Sequence, residues 1–410
     1  LRAEDARALD AMPFAGVPFL VKDLGSPFAG IPVHAGSRAL AARLAASSED
    51  SDFAARLRGT GLLPFGRTAV PEFGLSLSSE PAAFPPARNP LDPRLTAGGS
   101  SGGAAVAVAL GLVPVAHATD AGGSIRVPAA SCGLVGLKPS RGATPEGPDF
   151  ANHLAGLTSE LVVARSVRDL RTALQAAGGR ALGPMPDVTF SSPRTRLRIA
   201  LLRTPNVAPE RAVAVEEAAG HLAALGHEIE VRDPALLAEP TREAGTVFDR
   251  VICASLAGLF DALAIRDDEV EPLSAAAAER GRRIGGAEVL RAIEAGARIA
   301  RRMAILFERF DALLMPMLAS APPPLGAFPT DGDDVEAQWR RMERFAPGAV
   351  LANVAGLPAA TVPFGQDAAG LPLPVQLMGP SGADLRLLDL AEALAAELPF
   401  AHRFSLASLR

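Results

Sequence analysis

The residues best equipped for chemistry here are serines set behind glycine pairs, and one lysine far upstream of them. Thr96-Ala97-Gly98-Gly99-Ser100-Ser101-Gly102-Gly103 and Thr119-Asp120-Ala121-Gly122-Gly123-Ser124-Ile125-Arg126-Val127-Pro128 each place a serine directly after Gly-Gly. Glycine suits positions where the backbone takes positive φ or passes close to another group. A Gly-Gly pair before a hydroxyl can therefore aim consecutive N–H groups at whatever that hydroxyl attacks. Two Ser/Gly linkers are the plain alternative, but the residues between them are rich in Ala and Val, unlike a solvated linker.

A serine nucleophile needs a group to take its proton. Six histidines are available: His34, His117, His153, His221, His227 and His402. His117, on an apolar strand beside the serine stretch, is the nearest in sequence, and a lone histidine there is commonly a core residue. Gly98-Gly99-Ser100-Ser101-Gly102 fits G-x-S-x-G, so a Ser-His-Asp esterase using Ser100 is one reading. It leaves the second Gly-Gly-Ser without a task. A phosphate-cradling loop is disfavoured, because no G-x-x-x-x-G-K-[ST] occurs.

Lys22, in Phe19-Leu20-Val21-Lys22-Asp23-Leu24, is the other candidate base. An unperturbed lysine has a pKa of about 10.4, and burial can lower it by several units. A neutral Lys22 could then accept a proton near neutral pH. The same side chain could instead reach solvent from the strand end or pair with Asp23, and both remain open.

These groups need elements to hold them. Residues 17–24 read as a strand, 101–112 as a buried helix behind the glycine loop, and 113–119 as the strand leading to the second serine. Further strands are expected at 134–139 and 160–164, with Ser166 capping a helix over 167–177. A β–α–β passage follows, with strands at 197–202 and 227–231 around a helix at 213–225 of 3.6 period. Residues 275–310 read as helical, broken at Gly281 and at Gly285-Gly286. Strands at 311–316, 359–363 and 373–378 and a last helix at 385–398 complete the pattern; residues 1–12 read as the end of a charged helix. Alternating strands and helices argue for an α/β fold with a mixed sheet.

At 410 residues, 49% hydrophobic and 21% charged, the chain is globular rather than disordered. We expect one catalytic domain over 1–410, with 178–194 a linker or surface loop inside it. The net charge of −5 gives no electrostatic footprint for nucleic acid or an anionic membrane. Cys132 and Cys253 form neither a disulfide framework nor a zinc site, so no metal is expected. No run of 18 apolar residues suggests a membrane span. The chain opens on Leu1, so its natural start, with any targeting segment, is expected upstream; a cytoplasmic protein is the expectation.

Together these residues resemble a known family. The two Gly-Gly-Ser stretches, with Cys132-Gly133-Leu134-Val135-Gly136-Leu137-Lys138-Pro139, look like the amidase signature. Gly16-Val17-Pro18 with Val21-Lys22-Asp23 resembles that family's lysine strand. Pro71-Glu72-Phe73-Gly74, Arg88-Asn89-Pro90 and Gly356-Leu357-Pro358-Ala359 extend the likeness over nearly the whole chain. Among relatives, residues 13–19 and 164–169 look most like the 6-aminohexanoate cyclic dimer hydrolases.

The resemblance implies a large mixed, twisted sheet covered by helices on both faces, and a Ser–cis-Ser–Lys triad. Carried over, Ser124 is the nucleophile, Ser100 the bridging serine on a cis peptide, and Lys22 the base. The N–H groups of Ala121, Gly122, Gly123 and Ser124 are the expected oxyanion hole, with Asp120 and Arg126 as a supporting charge pair and Ser101 supporting the glycine loop. Phe150, His153, Met315, Trp339 and Phe345 are candidate substrate contacts. The implied activity is hydrolysis of a neutral linear or cyclic amide without cofactor, the partner being the small-molecule substrate; a homodimer is left open. The alternative within the family is the glutaminase subunit of a tRNA-dependent amidotransferase, disfavoured because such subunits commonly carry glutamine where this chain has Val127. Pro374 departs from the family pattern, where a glycine is common.

Overall fold

A computed structural model of the chain describes residues 12–145, 153–181, 187–192 and 194–402. The expected helical end at 1–12 falls almost wholly outside these residues. Ten strands form one sheet: β1 (Pro18–Lys22), β2 (Leu63–Thr68), β3 (Val115–Asp120), β4 (Val135–Lys138), β5 (Ser159–Ala164), β6 (Arg198–Leu202), β7 (Glu228–Arg232), β8 (Ala312–Pro316), β9 (Ala359–Gln366) and β10 (Pro372–Met378). Their order is β2-β1-β3-β5-β4-β9-β10-β8-β6-β7. The two ends are parallel, β1 with β2 and β3, and β6 with β7 and β8. The middle is antiparallel, from β3–β5 through to β10–β8.

Side chains of a strand alternate between its two faces. Ile199 and Leu201 of β6, and Ala312 and Leu314 of β8, enter one core, which also takes Leu57, Leu170, Leu174 and Leu387 from covering helices. Ala200, Leu202, Leu313 and Met315 enter the other, beneath Ala235–Leu263, Pro272–Arg282 and Gly286–Leu306. Both faces are thus covered, which is why these strands read as continuous apolar runs. The α/β fold class expected from the sequence is the one observed.

Two helical details differ from expectation. Residues 235–263, given no element on sequence, form a 29-residue helix that tolerates Pro240 inside its N-terminal part. Gly281, read as a break, lies inside Pro272–Arg282, where a Cβ would fall onto the Cys253 carbonyl oxygen of the long helix. Gly281 is therefore a close-packing glycine, and the break runs from Arg283 to Gly285. The described residues within 178–194 carry no helix or strand. Among the described residues, no helix is long and apolar enough to cross a membrane.

Candidate active site

Strands β1 and β3 are parallel neighbours, paired at Leu20 and Ala116, so their C-terminal ends emerge side by side. Lys22 ends β1, Thr119 and Asp120 end β3, and the second serine turn follows at once. Lys22 is fully buried. Its Nζ lies 2.7 Å from Thr119 Oγ1, 3.3 Å from the Thr119 carbonyl and 2.8 Å from Ser100 Oγ. A neutral amine has two hydrogens and one lone pair. The Thr119 carbonyl can only accept, so a hydroxyl is left to donate into the lone pair, and Ser100 is placed to do so.

The Gly99–Ser100 peptide is cis. Gly99 is required there by crowding, since a Cβ would lie 2.5 Å from the Ser78 carbonyl oxygen. Ser79 Oγ accepts the Gly102 N–H at 2.9 Å and donates to the Ser100 carbonyl at 3.1 Å. Ser101 Oγ donates to the Thr119 carbonyl at 3.3 Å, and the Ser101 N–H reaches the Ser124 carbonyl at 3.3 Å. Those two bonds tie the glycine loop to β3 and to the second serine.

Ser124, Ser100, Thr119, Ala121 and Gly122 line one cavity of about 430 Å³. Its remaining wall is largely apolar and includes Leu24, Ile31, Phe73, Ile252, Leu256 and Leu259. Residues 248, 252, 256 and 259 make a helical stripe along Ala235–Leu263, a periodicity that could have revealed this wall in the sequence.

The turn carrying Ser124 is held from beneath by Asp120. One carboxylate oxygen accepts the Gly123 N–H at 2.7 Å, and the other accepts that of Ile125 at 3.1 Å. Arg126 grips both oxygens, at 2.9 and 3.0 Å, and also reaches Gln376, Asn353 and the Ala349 carbonyl. Asn353 Nδ2 donates to the Asp120 carbonyl and carboxylate and to the Leu157 carbonyl. Because the Gly123 N–H is engaged by Asp120, those of Ala121, Gly122 and Ser124 are the ones left at the cavity wall. Burial alone would push the Asp120 carboxyl up. The Arg126 charge and hydrogen bonds, aided by Lys138 and the Gly123 N–H, overcome that and hold it well below the usual carboxylate range. Arg126→Met would leave this buried carboxylate unpaired, and we expect a loss of about 3–5 kcal/mol of stability in denaturant unfolding.

Burial also sets the lysine. Desolvation lowers Lys22 from 10.5 to about 7, although the negative charges of Asp120 and Glu160 pull the other way. The nearby His117 accepts the Lys22 backbone N–H on Nδ1 at 3.4 Å, and its Nε2 lies 3.4 Å from Glu160 Oε2. Its ring packs between Phe28 and Phe53. Among the described residues no histidine hydrogen-bonds to Ser100 or Ser124. Cys132 is buried and its thiol pushed up by desolvation, which makes it a core residue.

The residues singled out as substrate contacts scatter. Met315 and Phe345 are buried in packed clusters and do not line the cavity at Ser124. Trp339 lines a neighbouring cavity, and its indole donates to Asp249 at 3.0 Å. Phe150 and the side chain of His153 lie outside the described residues. Among the described residues no group of three or more His, Cys, Asp or Glu side chains is placed to hold a metal ion.

The family model described as Amidase matches residues 2–388. The 6-aminohexanoate-cyclic-dimer hydrolase of Paenarthrobacter ureafaciens is 32% identical, over 98% of this chain and 87% of the relative. A solved structure of 6-aminohexanoate cyclic dimer hydrolase superposes with a TM-score of 0.87 at 30% identity, covering 97% of this chain and 88% of that one. A bacterial aryl acylamidase of the amidase signature family superposes with a TM-score of 0.81 at 27% identity, covering 99% and 89%.

Proposed function

The chain belongs to the amidase family, whose members hydrolyse amide C–N bonds, and from that premise we propose that it cleaves a neutral linear or cyclic carboxamide through an acyl-enzyme on Ser124. The observation that carries this reading is the 2.8 Å contact between Ser100 Oγ and a fully buried Lys22, at the cavity that Ser124 also lines.

Ser124 Oγ attacks the carbonyl carbon and gives its proton to Ser100, whose own proton passes to the neutral Lys22 amine. The negative oxygen that forms is met by the N–H groups of Ala121, Gly122 and Ser124. Donors fixed in advance in this way are typically worth about 2.7–4 kcal/mol each. The ammonium that forms at Lys22 is favoured by the carboxylates of Asp120 and Glu160. Collapse of the adduct breaks the C–N bond, and the proton returns from Lys22 through Ser100 to the leaving nitrogen. Water then attacks the acyl ester by the same relay, releasing the acid and restoring Ser124. Nucleophile, relay and base all come from this chain, so the proposal calls for no cofactor.

The experiment is labelling with a serine-directed fluorophosphonate, followed by peptide mapping. The adduct is expected on Ser124; an adduct on Ser100 would overturn the assignment of roles. A panel of neutral amides, with cyclic amides first because the relative is a cyclic-dimer hydrolase, then tests the stand-alone reading. Ammonia release from glutamine only when partner proteins are added would sink it.

A further inference from the structure

A second cavity, of about 700 Å³, meets the first at Gly122, Phe248 and Met342. The Phe248 ring lies against Gly122, with a carbon 3.0 Å from where a Cβ would stand, and meets Trp339 edge-on at 5.2 Å. Leu77, Trp339, Ala346 and Val350 give this cavity an apolar floor. Its walls and mouth carry Arg242, Arg250, Arg280, Arg340 and Arg344 against Asp249, Glu336 and Glu343.

The charges are not evenly matched. Asp249 binds Arg250 and Arg280, Arg250 also pairs with Glu288, and Glu336 pairs with Arg340. Glu343 accepts the Gly348 N–H at 3.0 Å, and burial pushes its carboxyl up to about 7, so part of its charge is suppressed near neutrality. Arg242 and Arg344 are exposed, and their side chains have no hydrogen-bond or ionic partner among the described residues. The cavity therefore offers hydrocarbon contact near Gly122 and two uncommitted guanidiniums further out. A guanidinium matches a carboxylate through paired N–H···O bonds.

We propose that this second cavity is a subsite for one arm of the amide, an aliphatic chain ending in a carboxylate, while the apolar arm occupies the first cavity. The scissile carbonyl then lies between the two, at Gly122 and Ser124. The inference rests on the reading of Ser124 as the nucleophile, and it extends the substrate class from neutral amides to amides that carry a carboxylate on one arm.

The test uses two secondary amides, matched except that one arm ends in a carboxylate or in a hydroxymethyl group. The wild-type chain is expected to favour the carboxylate in kcat/KM by roughly ten-fold or more, the worth of a hydrogen bond to a charged group. The double variant Arg242→Gln with Arg344→Gln should bring that ratio towards one. Arg242→Glu with Arg344→Glu should reverse it, and added salt should compress the wild-type ratio through screening. A wild-type ratio of one, or a ratio unchanged in both variants, would overturn the subsite. Fluorophosphonate labelling of the same preparations separates the two claims. Labelling at Ser124 with no carboxylate preference defeats the subsite alone; no labelling and no cleavage of either amide defeats the nucleophile reading and the subsite with it.

Discussion

Ser124→Ala is expected to lower kcat on the order of 10⁶-fold, the scale of loss when the serine of a concerted nucleophile–relay–base unit is removed. What survives is the contribution of the oxyanion donors and substrate binding, which do not need the hydroxyl. The fold should tolerate the change. Among the described residues the Ser124 hydroxyl makes no hydrogen bond, and it faces a cavity, so its removal strands no buried partner. The bond that ties this residue to the glycine loop uses the Ser124 carbonyl, which alanine keeps. Turnover of a chromogenic amide and a urea unfolding curve check both halves, with stability expected to stay within about 0.5 kcal/mol of the parent. Near-normal turnover in this variant, with loss of turnover in a histidine variant, would restore the esterase reading.

The second large effect concerns Lys22 and pH. The amine can accept a proton only when neutral, so kcat/KM should rise with pH through about 7 and fall away below it. Lys22→Met keeps the hydrocarbon volume but removes the base. A loss of about 10²–10⁴-fold is expected, and the residual rate should no longer show the limb near 7. Glu160→Gln gives the sign. The Glu160 charge raises the lysine, so removing it should move the acid limb to lower pH. An unmoved limb in that variant would show that Glu160 does not act on the base.

The same shift appears in stability. Lys22 and Lys138 are both held at about 7 in the folded chain against 10.5 ordinarily, in each case chiefly by burial. Between these values the unfolded chain binds more protons, so the burial penalty, full below about 7, is relieved as pH rises towards 10.5. Stability contributed by these sites should therefore climb over that window, and Lys138→Met should flatten the climb without touching the acid limb of activity.

Much of the fold was legible because buried strands and amphipathic helices write their period into the chain. The strands that became β1, β3, β6, β8, β9 and β10 could be read from apolar runs, and Ser166 marked its helix start by capping the Asp169 N–H. The long helix Ala235–Leu263 was not read, because Pro240 stands inside it as a break would. Gly281 was misread for a related reason. A glycine that lets two helices touch and one that ends a helix look alike until the neighbouring helix is in place.

The candidate site divides along the same line. By itself the sequence determined the groups: two serines behind glycine pairs, a lysine in an apolar strand, and an Asp120–Arg126 pair around a tight turn. Those are properties of residue type and local spacing. Only the tertiary structure decided which of them meet. The order β2-β1-β3 sets Lys22 beside Thr119 and Ser100. The inward path of the Asp120 carboxylate claims the Gly123 N–H and leaves fewer donors for an oxyanion than the motif suggested. His117 accepts the Lys22 backbone N–H on one ring nitrogen and faces Glu160 with the other, although in the sequence it stood nearest the serines. The cavity wall comes from a helix more than a hundred residues downstream. Strand order and side-chain direction are set by long-range packing, which a period of two or 3.6 along the chain does not encode.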